Sequence, residues 1–200
     1  MINFDLNFPT VIAQSYDLEF TNKVLPIVQN ILNNSDSKVW GYQTTYGDTP
    51  QNHLIYEQLM QHSFIKEKLK LLCKKYMETA GYDINVDTLD LFMFVSRMKE
   101  GDVHGVHNHP NSLLSGVVYL NIEDNSSPII FYNPNEIKNF ITHKTTQDTI
   151  FNINHTTYNV KNGDILIWES WIKHGVPPNK KLNGVRETLV FNLQLKNDSQ

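Results

Sequence analysis

The stretch His107-Asn108-His109-Pro110-Asn111-Ser112, running into Leu113-Leu114-Ser115-Gly116-Val117-Val118-Tyr119-Leu120, decides how this chain is read. Two histidines flank a single residue, and a β-branched apolar run follows at once. In an extended strand, residues i and i+2 point to one face, so both imidazoles can reach one ion. Such a pair is only part of a site. It needs a further ligand, an anchor for whatever shares the ion, and a rigid cavity.

Working outward, strand and turn signals recur from Leu89 to the end of the chain. The strands expected are Leu89–Met98, Gly105–His109, Leu114–Ile122, Pro128–Tyr132, Ile150–Val160, Ile165–Trp168, His174–Pro177 and Glu187–Leu195. Polar turns at Asp124-Asn125-Ser126-Ser127, Lys161-Asn162-Gly163-Asp164 and Asn179-Lys180-Lys181 separate several of them. The polar insert Asn133–Asp148 reads as a mobile flap over a barrel mouth.

Before Leu89 the period is helical. Phe20, Val24, Ile27, Val28, Ile31 and Leu32 recur at helix spacing between Asp17 and Asn33, with Pro26 marking early turns or weakening the helix. Phe64, Ile65, Leu69, Leu72, Cys73 and Tyr76 form a second stripe that Gly81 ends. Residues 1–20, including Phe4, Leu6 and Phe8, read as an edge strand and turn. Asn33–Thr49, with Trp40 and Tyr42, reads as a loop with a short strand. Two helices followed by eight strands predict a mainly β (α+β) sandwich or barrel with the helices packed on one face.

Composition excludes several classes. Charged residues make up 19% of the chain and hydrophobic ones 40%, as in an ordinary globular protein. A net charge of −4 gives no basic field for nucleic acid or anionic membrane. One cysteine, Cys73, rules out an internal disulfide and reads as a buried, inert thiol of a reducing compartment. The N-terminus lacks a signal-peptide pattern, and no window approaches the ~18 apolar residues of a membrane span. The expectation is a cytoplasmic single domain over residues 1–200, with 1–88 as a helical and irregular support and 89–195 as the β core.

The other six of the eight histidines sort unequally. His53 and His62 lie in the helical half and suit surface or capping roles, while His143 and His155 sit in polar surroundings. His104, three residues before His107, falls on the opposite pleat of an extended strand. His174 differs: it opens a short strand beside Gly175, where it can point inward. Downstream, alternation in Arg186-Glu187-Thr188-Leu189-Val190-Phe191-Asn192-Leu193 sets Arg186, Thr188, Val190 and Asn192 on one face. A guanidinium and a hydroxyl on one inward face can hold a carboxylate. A surface ion pair is the plainer reading of Arg186 alone, but three histidines in order upstream favour the carboxylate.

The ordered set His-x-His, Leu-Ser-Gly-Val-Val-Tyr-Leu-Asn, Asn-Gly-Asp-Ile-Leu-Ile-Trp, Trp-Ile-Lys-His-Gly-Val-Pro-Pro-Asn and Arg-Glu-Thr-Leu-Val-Phe-Asn-Leu resembles the Fe(II)/2-oxoglutarate-dependent dioxygenases. The likeness is to the 2-oxoglutarate oxygenase group of marine bacteria and phages, and more loosely to prolyl 4-hydroxylases. It covers roughly residues 89–195. The resemblance implies a double-stranded β-helix (jelly roll) binding Fe(II) and 2-oxoglutarate, with hydroxylation of a substrate and release of succinate and CO2. It implies metal ligands at His107, His109 and His174, and co-substrate contacts at Arg186 and Thr188, with Tyr119 and Asn192 as further inward candidates. Trp168, Trp171 and Phe131 are candidates to line the cavity, with core packing the plainer reading of each. His109 departs from the pattern, since this family carries a carboxylate there.

Two alternatives stay open on these residues: a three-histidine metalloenzyme of another class (a cupin-like oxygenase or zinc hydrolase), and a non-catalytic jelly-roll binding protein. The partners expected are oxygen and a small-molecule or peptidyl substrate, without nucleic acid or membrane. A homodimer is compatible with these features.

Overall fold

A computed structural model describes residues 9–39, 41–47, 50–135, 144–180 and 184–196. The expectations for Phe4, Leu6, Phe8, Trp40, His143, the middle of the 133–148 insert and the side chain of His53 lie outside the described residues.

Eleven strands are described, in two antiparallel sheets. The larger has the order β1 (Ile12–Tyr16), β9 (Asp164–Glu169), β6 (Ser112–Ile122), β11 (Arg186–Gln194), β4 (Asp90–Met98), β3 (Tyr42–Thr44), β2 (Lys38–Val39). The smaller runs β5 (His104–His107), β10 (His174–Val176), β7 (Ile129–Tyr132), β8 (His155–Tyr158). All eight expected strands are present, although the one expected over Ile150–Val160 is limited to His155–Tyr158, and the early edge strand is β1.

Strict alternation in the larger sheet builds two cores at once. Leu91, Met93, Val95, Leu189, Phe191 and Leu193 face the helices, while Met98, Val117, Tyr119, Leu166 and Trp168 face the smaller sheet. Gly116 is required here, because a Cβ at that position would fall inside the Phe191 ring.

Among the described residues three α-helices, not two, support the sheet. Helix α1 (Leu18–Asn33) starts where Asp17 Oδ1 accepts the Phe20 N–H at 2.9 Å. Lys68 of α3 (Ser63–Ala80) reaches the same carboxylate at 2.6 Å and, with that cap, holds it below the usual carboxylate range. Pro26 lies in the middle of α1, not in its first turns. It sits on the solvent side, and fully buried Val24 and Val28 anchor the helix across it. At about 1.5–3 kcal/mol per buried side chain, that stripe outweighs the ~3 kcal/mol cost of an interior proline.

Among the described residues, helix α2 (Pro50–Gln61) carries only Ile55 and Leu59 as buried apolar side chains, too weak a stripe to be seen in the sequence. Helix α3 ends at Gly81 in the left-handed conformation, as its position suggests. Cys73 is fully buried, and burial pushes its thiol up to about 12, in keeping with an inert core residue.

Glu187 joins the helix layer to the sheet. This buried carboxylate accepts from Arg97 Nε at 2.7 Å and Nη2 at 2.6 Å, from Gln29 Nε2 at 2.9 Å and from Asn121 Nδ2 at 3.0 Å. Every lone-pair direction is used, which is what a buried charge needs to be tolerated.

Candidate metal centre

The sheets bring His107, His109 and His174 together, with one ligand atom from each lying within 4.8 Å of the others. His107 ends β5 and pairs directly with His174, the first residue of β10. His109 lies just past the strand, which stops at His107 and not at His109 as the alternation suggested. Its backbone N–H donates to Ser170 O at 3.0 Å, fixing the turn that carries it.

Backbone carbonyls set the tautomers. His107 Nδ1 lies 2.8 Å from Gly105 O, and His174 Nδ1 lies 2.9 Å from Ile172 O. A carbonyl only accepts, so both Nδ1 atoms carry the proton and both Nε2 atoms present a lone pair. His109 Nε2 faces His174 Nε2 at 3.2 Å. Two imidazole nitrogens bound to one ion at about 2.0–2.1 Å, near a right angle, would stand about 3 Å apart. The donor set therefore fits a divalent metal of the imidazole-binding kind. Burial, reinforced by the neighbouring imidazoles, holds His109 down to about 4 and His174 well below its ordinary value; burial likewise lowers His107. All three are neutral at pH 7, which is the ligating form.

A fourth histidine, unexpected from the sequence, belongs to the same cavity. His104 pairs with Val176 while His107 pairs with His174, so β5 holds one more residue than β10 between these pairs. This β-bulge re-aims His104 onto the face of His107 instead of the opposite pleat. Their rings stack at 4.0 Å, and His104 Nδ1 lies 3.1 Å from Tyr42 Oη. The bulge needs Gly175 opposite it. A Cβ there would stand 3.0 Å from His104 O and 3.3 Å from Val106 N.

A narrow interior cavity runs from the histidines to Arg186, lined also by Tyr42, Ser96, Trp168 and Thr188. Arg186 is buried, and among the described residues no carboxylate pairs with it. Its Nε has no hydrogen-bond partner, and Nη1 finds only Met98 Sδ at 3.9 Å. The Tyr119 ring lies under it, 5.1 Å from the guanidinium carbon. Burial lowers the Arg186 pKa, countered by the two nearby tyrosines, Tyr119 and Tyr42. Thr188 Oγ1 lies beside it on the strand and shares a hydrogen bond with Ser96 Oγ at 2.8 Å. A lone buried guanidinium is costly unless an anion completes it. The cavity thus has a neutral metal-binding end and a cationic end, suited to an acidic chelator.

The remaining sequence candidates divide. Trp168 and Phe131 pack around His174, at ring separations of 4.7 and 5.9 Å, whereas Trp171 is half exposed and bonds Glu169 at 2.7 Å. Asn192 is not in the Arg186 cavity; it lines an outer groove beside His107 and His109. Its distance along β11 explains this, since six residues at about 3.3 Å each separate it from Arg186 by about 20 Å.

Residues 92–192, just over half of the chain, match the family model described as "Putative 2OG-Fe(II) oxygenase". The chain belongs to this family. Members use Fe(II) and 2-oxoglutarate, the pairing that the two-ended cavity fits. A search of curated proteins finds no match. Solved structures give the same fold. A prolyl-4-hydroxylase from Pseudomonas putida aligns with a TM-score of 0.59 at 13% identity, over 94% of each chain. The carbocyclase SnoK of nogalamycin biosynthesis, described as non-heme and α-ketoglutarate-dependent, aligns at 0.63 and 10% identity, over 93% of this chain and 80% of that one. HygX from Streptomyces hygroscopicus, with nickel and 2-oxoglutarate bound, aligns at 0.57 and 12% identity, over 94% and 83%. These neighbours share the double-stranded β-helix and support the jelly-roll expectation.

Proposed function

We propose that this oxygenase hydroxylates a small-molecule or peptidyl substrate, with Fe(II) held by His107, His109 and His174 and 2-oxoglutarate anchored by Arg186. When bound, Fe(II) and 2-oxoglutarate supply the oxygen-activating chemistry, with release of succinate and CO2. The residues bind, orient and exclude water. His107 and His174 present lone pairs locked by Gly105 and Ile172. Arg186 and Thr188 receive the far carboxylate, and Tyr119 supports the guanidinium from below. Trp168 lines the cavity, and Phe131 packs against its ring from behind.

The observation that carries this reading is the buried Arg186, with no acidic partner among the described residues, at the far end of the cavity that starts at the histidines. A zinc hydrolase or a cupin-like three-histidine oxygenase has no use for that charge, and a plain binding module has no use for both ends. The organisation proposed is a single domain in which 1–88 support a core at 89–195. Among the described residues no helix is long and apolar enough to cross a membrane. A cytoplasmic enzyme without nucleic-acid or membrane partners agrees with the net charge of −4, and a homodimer is compatible with it. The test is iron- and 2-oxoglutarate-dependent succinate release across a substrate panel. His174→Ala should abolish it; succinate formed equally by that variant would refute the assignment.

A further inference from the structure

His107 and His109 line two spaces: the interior cavity with Arg186, and an open groove of about 720 Å3 on the outside. The groove is within the size range of small-molecule sites. One wall is aromatic. Tyr56 and Phe92 stack at 5.8 Å and 28°, and Tyr46 meets Phe92 edge-on at 6.3 Å. Amides stand beside the rings, chiefly Asn192, the cross-strand partner of Phe92, and Gln194, and among the described residues no Lys, Arg, Asp or Glu lines the groove.

Asn192 is the informative member. It is buried, and its Oδ1 accepts from Ser115 Oγ at 2.8 Å, which in turn shares a hydrogen bond with Ser170 Oγ at 2.7 Å. With the oxygen committed, the Nδ2 group is left as a fixed donor beside the two histidines, with no acceptor among the described residues. Fixed donors read acceptor oxygens, and rings read rings. In the metal-free chain, a charged group drawn into this groove would shed water and find no counter-charge among the described lining residues.

We infer that this groove is the substrate site, and that it takes a small uncharged molecule carrying a ring and a carbonyl or hydroxyl oxygen. The ring lies on the Tyr56 and Phe92 faces. The oxygen accepts from Asn192 Nδ2, and this holds the adjacent C–H at His107 and His109. The inference rests on the proposed role of those histidines as iron ligands, but its test needs neither iron nor turnover.

Ligand-observed NMR on the metal-free chain supplies that test, with N-acetyl-L-prolinamide and methyl β-glucopyranoside as neutral probes. Their charged counterparts are N-acetylproline and glucuronate. At least one neutral probe should bind, at least about fivefold more tightly than its counterpart. Asn192→Asp, which turns the donor into a charged acceptor, and Tyr56→Ala, which removes a ring face, should each weaken it by about fivefold or more. The inference is overturned if no neutral probe binds, if the charged counterparts bind as well, or if both variants bind like the parent chain. It is also overturned if binding appears only with peptides of about ten residues. Neutral-probe binding without metal-dependent succinate release would remove the oxygenase reading and leave the groove assignment standing.

Discussion

Replacing Arg186 with Met separates the two demands on this residue, because it should stabilise the ligand-free chain while removing co-substrate binding. The guanidinium is buried, its Nε is unpaired, and no carboxylate among the described residues compensates it. Exchanging buried ionic groups for apolar ones of similar volume gains about 1–4 kcal/mol. Loss of the contact with the Tyr119 ring returns about 0.5–2 kcal/mol. The net is a gain of about 0.5–2 kcal/mol, or about 1–8 °C in Tm for a chain of this size. Binding moves the opposite way. Truncating one partner of a buried, charge-assisted contact costs about 2–4 kcal/mol, about 30- to 1,000-fold in 2-oxoglutarate affinity. Thermal unfolding of the Mn(II)-loaded protein, with and without 2-oxoglutarate, reads both effects. The parent chain should gain about 2.7 kcal/mol at a hundredfold excess over its Kd, and the variant at the same concentration less than about 1 kcal/mol. A variant that melts below the parent and still responds to 2-oxoglutarate would refute the reasoning.

Three further perturbations test the surroundings of the site. His104 and His109 are lowered by burial to about 3 and about 4, so between roughly pH 6.5 and 4 the unfolded chain binds protons that the folded chain does not. Stability of the metal-free protein is therefore complete above about pH 6.5 and falls with acidification by about 1.4 kcal/mol per pH unit per histidine; His104→Phe should reduce that slope by one proton in equilibrium denaturation. Gly175→Ala presses a Cβ against the backbone of the bulge, 3.0 Å from His104 O, and should cost about 1–3 kcal/mol with at least tenfold weaker Zn(II) binding by titration. Glu187→Gln leaves Arg97 without its buried counter-charge and should cost about 3–5 kcal/mol in urea unfolding, with Zn(II) affinity of the folded protein unchanged.

Much of the fold was legible because the larger sheet is buried on both faces, and each face has its own alternating set: Leu189, Phe191 and Leu193 toward the helices, Arg186, Thr188 and Val190 toward the cavity. The same alternation placed Arg186 and Thr188 inside, and the ordered motifs pointed to His107, His109 and His174. It could not measure distance along a strand, which is why Asn192 shares a face with Arg186 yet lies at the other end. His104 was hidden for a different reason. Its direction depends on a bulge opposite Gly175, a residue about 70 positions later, and no local pattern encodes such a pairing. Helix α2 was hidden because, among its described residues, only Ile55 and Leu59 are drawn into the core. The ion pair expected as the plain reading of Arg186 is made one residue later, by Glu187 with Arg97.

The three-histidine centre is most directly tested by anaerobic titration of the protein with Fe(II) and then 2-oxoglutarate, followed by visible absorption. The account expects a weak charge-transfer band that saturates at one iron per chain, is lost in His174→Ala, and persists in His109→Asp, where a carboxylate takes the imidazole's place. A flat spectrum in the parent chain, or an unchanged band in His174→Ala, would contradict it.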